Sequence, residues 1–166
     1  MSAAPNPYLY VLDASLNRAD ALERLAAMPS QLRSIVLPAD PARLSRAPAD
    51  GEWTAFQTFC HMRDAAFIYA LRFRWIVFDD DPLLTNYDEN NWVGAAKDAV
   101  SDVPDILAQV AASRSDLVRV LSRLSEAEWR RTGRHEVAGT VVLEDYVRHQ
   151  VAHEAMHLDQ ILVALG

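Results

Sequence analysis

The stretch Tyr146–Leu162, YVRHQVAHEAMHLDQIL, carries three histidines at intervals of four residues. Four residues turn an α-helix by 400°, so His149, His153 and His157 lie on one stripe, about 6 Å apart along the axis. Histidines at i and i+4 can direct their imidazoles at one ion, and this spacing recurs in zinc sites. His149 and His157 are about 12 Å apart and cannot share an ion whose Zn–N bonds are about 2 Å long. The spacing therefore indicates a metal-binding pair formed by two adjacent histidines of the three.

A third ligand has to come from another segment, and His61 is the candidate that the chain offers. His61 and Asp64 fall within an arc of about 140° that is otherwise apolar, on a second amphipathic helix. Polar groups on such a face are costly to bury unless a partner satisfies them. The ordinary interpretation is that these histidines are buried or exposed side chains with common partners. A histidine pair with a third histidine on a second apolar helix favours a metal site over that interpretation.

Composition indicates one globular domain over residues 1–166, in which residues 1–18 form a loosely ordered arm. The net charge of −7 argues against nucleic acid or an anionic membrane as a partner. No apolar run approaches the roughly eighteen residues of a membrane span, and we expect no signal peptide. The single cysteine, Cys60, excludes an internal disulfide. We therefore expect a cytoplasmic protein with a reduced thiol.

Apolar periodicity predicts an all-α fold of four long amphipathic helices, that is, a four-helix bundle. The first helix begins at about Ala19 and is kinked or restarted at Pro29. The second runs from after Gly51 to about Phe78, and the third follows Asp102. No period-2 pattern of any length indicates strands.

The connections carry further structural signals. Residues 79–101 are acidic and bear aromatic side chains, and they predict a long crossover between the second and third helices. Ser125 is suited to cap a short helical piece, and Thr140 is suited to cap the last long helix. Residues 132–141 leave room for a small β-hairpin.

The second helix is apolar on two sides. One arc includes Phe67 and Leu71 beside His61, and the other includes Tyr69 and Phe73. A helix of this kind needs two partners, which predicts either a homodimer or a covering segment in the crossover.

Two motifs resemble the DinB/YfiT-like superfamily. GEWTAFQTFCHMRD at Gly51–Asp64 resembles its second-helix signature, in which a metal-binding His follows the Trp of Gly-Glu-Trp by eight residues. The segment from Trp129 through Gly133, His135 and Gly139 to HEAMHLDQI resembles its closing half. The similarity spans the chain from about residue 20. It implies up-down-down-up connections and a divalent metal ion held by three histidines.

By position, the resemblance implies His61, His153 and His157 as the metal ligands. Three neutral imidazoles and an open position suit zinc or nickel, and iron or manganese fit the same nitrogens. A water in the open position would have its pKa lowered toward neutrality. The catalytic group is unassigned, with metal-bound water or a thiolate as the candidate and Asp64 and Gln160 as supporting residues.

Other polar residues have alternative interpretations. Asp64 can orient a ligand histidine or form an ordinary interhelical hydrogen bond, and Gln160 can contact a ligand or the substrate. Glu154 lies off the histidine stripe, which predicts a surface salt bridge. We interpret His149 as a pocket or hydrogen-bonding residue, and for His135 solvent exposure in a turn is as good an expectation as function. The acidic and aromatic side chains that can overhang the pocket are Tyr87, Asp88, Glu89 and Trp92.

The family that the chain resembles includes transferases that use low-molecular-weight thiols, thiol-dependent isomerases and hydrolases. We therefore expect a metal-dependent enzyme that acts on a small molecule by thiol S-transfer or hydrolysis. The alternative is a non-catalytic metal-binding or stress-induced protein, and a third hypothesis is a bundle whose histidines bind no metal. An open coordination position that faces a substrate-sized cavity would favour the enzyme.

Overall fold

The computed structural model describes residues 15–96 and 103–166. Most of the predicted arm, and the last part of the predicted crossover, lie outside the described residues. Four long helices dominate the rest: α1 (Arg18–Val36), α3 (Ala55–Phe78), α5 (Val103–Leu121) and α7 (Leu143–Leu165). Three short helices and three strands connect them: α2 (Pro41–Leu44), β1 (Leu83–Leu84), α4 (Glu89–Ala96), α6 (Glu126–Trp129), β2 (Thr132–His135) and β3 (Gly139–Val142).

The helices α3 and α5 run in the same direction. Ser113 of α5 donates a hydrogen bond to the carbonyl oxygen of Ala66 in α3, and one turn or so further along, Asp116 pairs with Arg74. The contacts advance along both helices together, so the connection between α3 and α5 is a crossover between parallel helices. The long crossover predicted from the sequence is confirmed.

The helix α7 runs opposite to α3. Tyr146, near the start of α7, contacts Phe73 edge-on near the end of α3, and His153, further along α7, contacts His61 near the start of α3. Contacts closer to the end of α7 therefore involve residues closer to the start of α3, so the two helices are antiparallel.

The helix α1 completes the bundle. It packs against α5 and α7, and Arg18 forms an ion pair with Glu144 where α1 and α7 both begin. Since α1 and α7 point one way and α3 and α5 the other, the connections are up-down-down-up. The predicted all-α four-helix bundle is confirmed, including its direction pattern. None of the helices in the described part of the chain is long and apolar enough to cross a membrane.

The structure excludes one of the two alternatives predicted at Pro29, the restart, and it contradicts the predicted cap of the last long helix. The helix α1 continues through Pro29 without restarting, because Met28 and Leu32 on either side are buried in one stripe. Burial of that stripe offsets the hydrogen bond that proline removes. Thr140 does not cap α7: it lies in β3, and α7 begins directly after that strand. The backbone N–H of Leu143 donates instead to the carbonyl oxygen of Arg131.

The hairpin over residues 132–141 is present as β2 and β3, which pair antiparallel. The two-residue strand β1 pairs parallel to β2 and has no counterpart in the sequence prediction. Ser125 caps α6 as predicted, in a capping box with Glu128. The small sheet ties the end of α3 to the start of α7, and so it closes one end of the bundle.

The two apolar arcs of α3 have different environments. Tyr69 and Phe73 are buried, because their side of α3 faces the other long helices. Phe67 and Leu71 each keep 45% of their surface exposed, and Phe78 keeps 68%. The burial of α3 in the bundle therefore accounts for one arc and leaves part of the other uncovered by the described residues.

Candidate metal centre

Three imidazoles converge between α3 and α7. The Nε2 atom of His153 lies 3.5 Å from Nε2 of His61 and 3.1 Å from Nε2 of His157. One ligand atom from each of the three residues lies within 4.8 Å of the others. The antiparallel packing of α3 on α7 produces this arrangement, since it places the start of α3 beside the second half of α7. The structure therefore brings together the three residues that the sequence motifs imply as ligands.

The spacing of these nitrogens fits a tetrahedral ion. Two nitrogens bound at about 2.0–2.1 Å with tetrahedral angles lie about 3.3 Å apart, between the two observed separations. Without an ion, a neutral imidazole has one N–H, so three Nε2 atoms pointing together cannot all be satisfied by one another. The donor set, the convergence, the burial of His61 and His157 and the partial burial of His153 fit a divalent metal ion.

The histidines are held in the neutral form that coordinates metal. Burial lowers the pKa of His61 to about 3, with a further contribution from His157. Burial likewise lowers the pKa of His153 to about 2, and the other histidines of the group reinforce the shift. Burial also lowers the pKa of His157. At neutral pH, a metal ion therefore has no proton to displace from these nitrogens.

These shifts predict an acid-labile fold in the metal-free protein. Because the folded pKa values of His61 and His153 lie below the ordinary 6.5, the unfolded chain binds more protons once the pH falls below that value. Stability is therefore fully present above pH 6.5 and is lost as the pH falls toward the folded values. Each such histidine should lower the free energy of unfolding by about 1.4 kcal/mol per pH unit. Urea unfolding at pH 7 and pH 5 measures the loss. A stability that is equal at both values would contradict the burial of neutral histidines.

Gln160 orients one of the three imidazoles. Its Oε1 atom lies 2.8 Å from Nδ1 of His157, and because an amide oxygen only accepts, Nδ1 carries the proton. Nε2 of His157 is thereby left with its lone pair toward the other two nitrogens. The corresponding Nδ1 atoms of His61 and His153 have no hydrogen-bond partner among the described residues. One of the two predicted contacts of Gln160, the contact with a ligand, is therefore observed.

We expect Gln160→Leu to weaken metal binding by about 10- to 100-fold, the usual cost of losing a partner that orients a ligand. The substitution removes the acceptor at a partly buried position of α7 and leaves a good helix former there, so the fold should be retained. The separate variant Gln160→Glu keeps an acceptor oxygen at the same place and should retain most of the wild-type affinity for the metal ion. Competition with a chelator of known affinity measures both variants. Equal affinity of wild type and Gln160→Leu would show that the contact does not support the site.

Asp64 does not belong to the three-histidine group. Its carboxylate is nearly buried and pairs with Arg63, with 2.8 Å between Asp64 Oδ1 and Arg63 Nη2. Burial raises the pKa of this carboxyl, although Arg63 opposes the shift. Among the described residues Asp64 therefore pairs within α3, and neither the predicted interhelical hydrogen bond nor a contact with a histidine of the group is present.

His149 and His135 lie beyond the ligands, toward the small sheet. His149 is buried and its ring stacks parallel on Tyr146, with 6.1 Å between the ring centroids. The predicted exposure of His135 is wrong, because the hairpin folds it inward and leaves only 2% exposed. Its Nδ1 accepts hydrogen bonds from the backbone N–H groups of Val137 and Ala138. His135 thus stabilises the hairpin turn, and burial lowers its pKa to about 4.

The surface salt bridge predicted for Glu154 is also wrong. Glu154 is 4% exposed and pairs with the buried Arg114 of α5, while Gln150 donates a second hydrogen bond to the same carboxylate oxygen. The angular position of a residue around α7 does not show whether that side of the helix faces solvent or the rest of the bundle. Sequence reasoning missed Arg114, although it lies four residues after Val110 and three before Leu117, on the apolar stripe of α5.

A cavity of about 370 Å³ opens in front of the three histidines. The predicted overhanging segment contributes Tyr87 and Glu89 to its wall, while Trp92 packs against the ring of Tyr87. Trp53 contacts the ring of His61 at 5.1 Å between centroids. The lining residues are Trp53, His61, Tyr69, Tyr87, Glu89, Val137, His149, His153, Met156 and His157.

Comparison with known proteins finds relatives along most of the chain. The Geobacillus kaustophilus protein named "Putative metal-dependent hydrolase" is 26% identical over 138 residues, which cover 82% of this chain and 78% of that protein. The Bacillus subtilis protein named "Putative metal-dependent hydrolase YfiT" is 23% identical over 141 residues, which cover 84% and 79%.

A solved structure shares the fold. The structure of YfiT from Bacillus subtilis, described as "a probable metal-dependent hydrolase with an unusual four-helix bundle topology", superposes with a TM-score of 0.85 at 21% identity. The match covers 93% of this chain and 91% of that one. The family model of the DinB superfamily matches residues 24–161, which is most of the chain. The chain therefore belongs to the DinB superfamily.

Proposed function

We propose that this chain is a metal-dependent enzyme that acts on a small molecule by hydrolysis or thiol S-transfer. The observation that carries the proposal is the position of the three-histidine group in the wall of a substrate-sized cavity. No fourth Asp, Glu, Cys or His among the described residues joins the group. An ion with three protein ligands keeps a position for water or substrate, as catalytic sites do, whereas structural sites are closed by a fourth ligand.

The residues around the group have separate roles in this proposal. His61, His153 and His157 hold the ion, and Gln160 keeps His157 in the tautomer that can bind it. Zinc or nickel suits these donors best, and iron or manganese fits them too. When bound, the ion would lower the pKa of a water or thiol toward neutrality. Trp53 packs against the ring of His61.

The similarity to proteins named as metal-dependent hydrolases supports hydrolysis over a purely storage role. The test is an assay of ester and amide hydrolysis and of thiol conjugation, carried out on protein that has been stripped with chelator and reloaded with zinc, nickel or manganese. We expect activity only after reloading, to a different degree for each metal. Equal rates for stripped and reloaded protein, or no rate above the buffer reaction across a broad panel, would favour a non-catalytic metal-binding protein.

We further propose a homodimer that covers the exposed arc of α3. Phe67, Leu71 and Phe78 present apolar side chains on that helix. Leu71→Arg should shift sedimentation at micromolar concentration from dimer to monomer, because it places a charge in the contact. Val163→Arg, at an exposed position of α7, is the matched control and should leave the dimer intact. A wild-type protein that sediments only as a monomer would contradict the dimer. The crossover over residues 79–101 would then be the candidate segment for covering the exposed arc of α3.

A further inference from the structure

The cavity in front of the three histidines has a one-sided charge pattern. Glu89, the first residue of α4, is the single carboxylate among the lining residues of this cavity, and no lysine or arginine lines it. Its carboxylate forms no hydrogen bond or ion pair with any residue that the structure describes, and the side chain is exposed. Glu89 is therefore available to a molecule that enters the cavity.

The neighbouring carboxylate is already used. Asp88 accepts hydrogen bonds from the backbone N–H groups of Asn90 and Asn91 and from the side-chain amide of Asn91, so it caps the start of α4. The negative charge that faces the cavity thus belongs to Glu89, and Asp88 fixes the turn that presents it.

Aromatic rings form another part of the wall of this cavity. Tyr87, two residues before Glu89, lines the cavity and is held by its contact with Trp92, with 4.8 Å between ring centroids. Trp53 and Tyr69 line the same cavity. Faces of Trp and Tyr attract cations, and a carboxylate beside them adds to that attraction. The net charge of −7 favours the approach of cations and opposes that of anions.

We propose that the cavity selects small molecules that carry a cationic ammonium group in addition to the group that reaches the histidine-bound ion. Glu89 is the residue that sets this preference, and Tyr87 and Trp53 assist it through their ring faces. The inference rests on the proposed function, because the second group of the ligand needs the ion. It also predicts that molecules with a carboxylate in place of the ammonium group bind worst, since Glu89 repels them.

The test uses cobalt-loaded protein and thiol probes of matched shape. Thiocholine carries a quaternary ammonium group that cannot coordinate the metal, and 3,3-dimethylbutane-1-thiol is its uncharged counterpart. The charge-transfer absorption of cobalt bound to a thiolate reports binding of each probe without any turnover. The measured quantity is the ratio of the two dissociation constants, so the different acidities of the thiols cancel between protein variants.

The wild type should bind thiocholine more tightly than the uncharged thiol. Glu89→Gln should lower this preference by about fivefold relative to the wild type, which is the effect of one exposed ion pair. Glu23→Gln is the control: it makes the same change in net charge at an exposed position of α1 that does not line the cavity. It should leave the ratio unchanged.

The outcomes separate this inference from the proposed function. A ratio that is the same in wild type and Glu89→Gln, while both probes bind cobalt, overturns the ammonium preference alone. A ratio that falls equally in Glu23→Gln assigns the preference to net charge and also overturns the role of Glu89. Failure of cobalt to bind overturns the proposed function and this inference with it. Failure of both thiols to reach bound cobalt overturns this inference and leaves hydrolysis as the proposed function.

Discussion

His153→Ala abolishes tight binding of the divalent ion, because His153 is the nitrogen donor shared by both close contacts of the group. Its Nε2 lies near Nε2 of His61 on one side and Nε2 of His157 on the other. Its loss leaves two ligands on different helices. We expect the affinity to fall by well over the roughly 100-fold that removing an orienting contact costs. Elemental analysis of protein purified without a His tag, and chelator competition, measure the change.

His149→Ala is the matched control for that experiment. His149 is buried on the same helix, one turn before His153, and its ring lies 5.9 Å from the ring of His153. It is nevertheless outside the converging group. The variant should keep one ion per chain. Full occupancy in His153→Ala, or loss of the ion in His149→Ala, would refute the assignment of the ligands.

Glu154→Ala should lower the free energy of unfolding by about 3–5 kcal/mol, the usual cost of leaving a buried charge without its partner. The guanidinium of Arg114 is 1% exposed, and its Nε and Nη1 atoms already lack hydrogen-bond partners among the described residues. Removal of Glu154 takes away the ion pair of Arg114 and leaves its buried positive charge without a partner. Urea unfolding of the metal-free protein measures the effect without a contribution from the ion.

Two further variants test the cause of that loss. The double variant Arg114→Met with Glu154→Leu removes both charges and should recover much of the stability, since apolar residues can replace a buried ion pair. Glu126→Ala breaks the ion pair with Arg18 at a side chain that is 76% exposed, and it should cost at most about 1 kcal/mol. A Glu154→Ala variant as stable as Glu126→Ala would show that the buried pair is not required.

The sequence predicted the features that depend on periodicity along one helix. The spacing of His153 and His157 shows that both imidazoles lie on one side of α7. The apolar stripes predicted four long helices, and the polar His61 inside such a stripe indicated a buried partner. The resemblance supplied the assignment of ligands and the direction of the helices, which the stripes alone leave open.

The residues that the sequence misplaced depend on contacts between distant segments. Glu154 lies off the histidine stripe, yet it is buried inside the bundle, where the side chain of Arg114 reaches it from α5. His135 is buried because the hairpin folds toward α3 and α7, and its ring contacts Tyr146. The strand β1 has two residues, too few for any periodicity, and its pairing with β2 joins segments about fifty residues apart. Local patterns carry no information about such pairings.

Location of the ion by anomalous diffraction from zinc- or nickel-loaded crystals tests the central claim most directly. The account predicts one anomalous peak per chain, about 2.0–2.1 Å from the Nε2 atoms of His61, His153 and His157 in the zinc form, with a remaining position that faces the cavity. A peak elsewhere, a fourth protein ligand that closes the site, or no peak in metal-loaded crystals would contradict it.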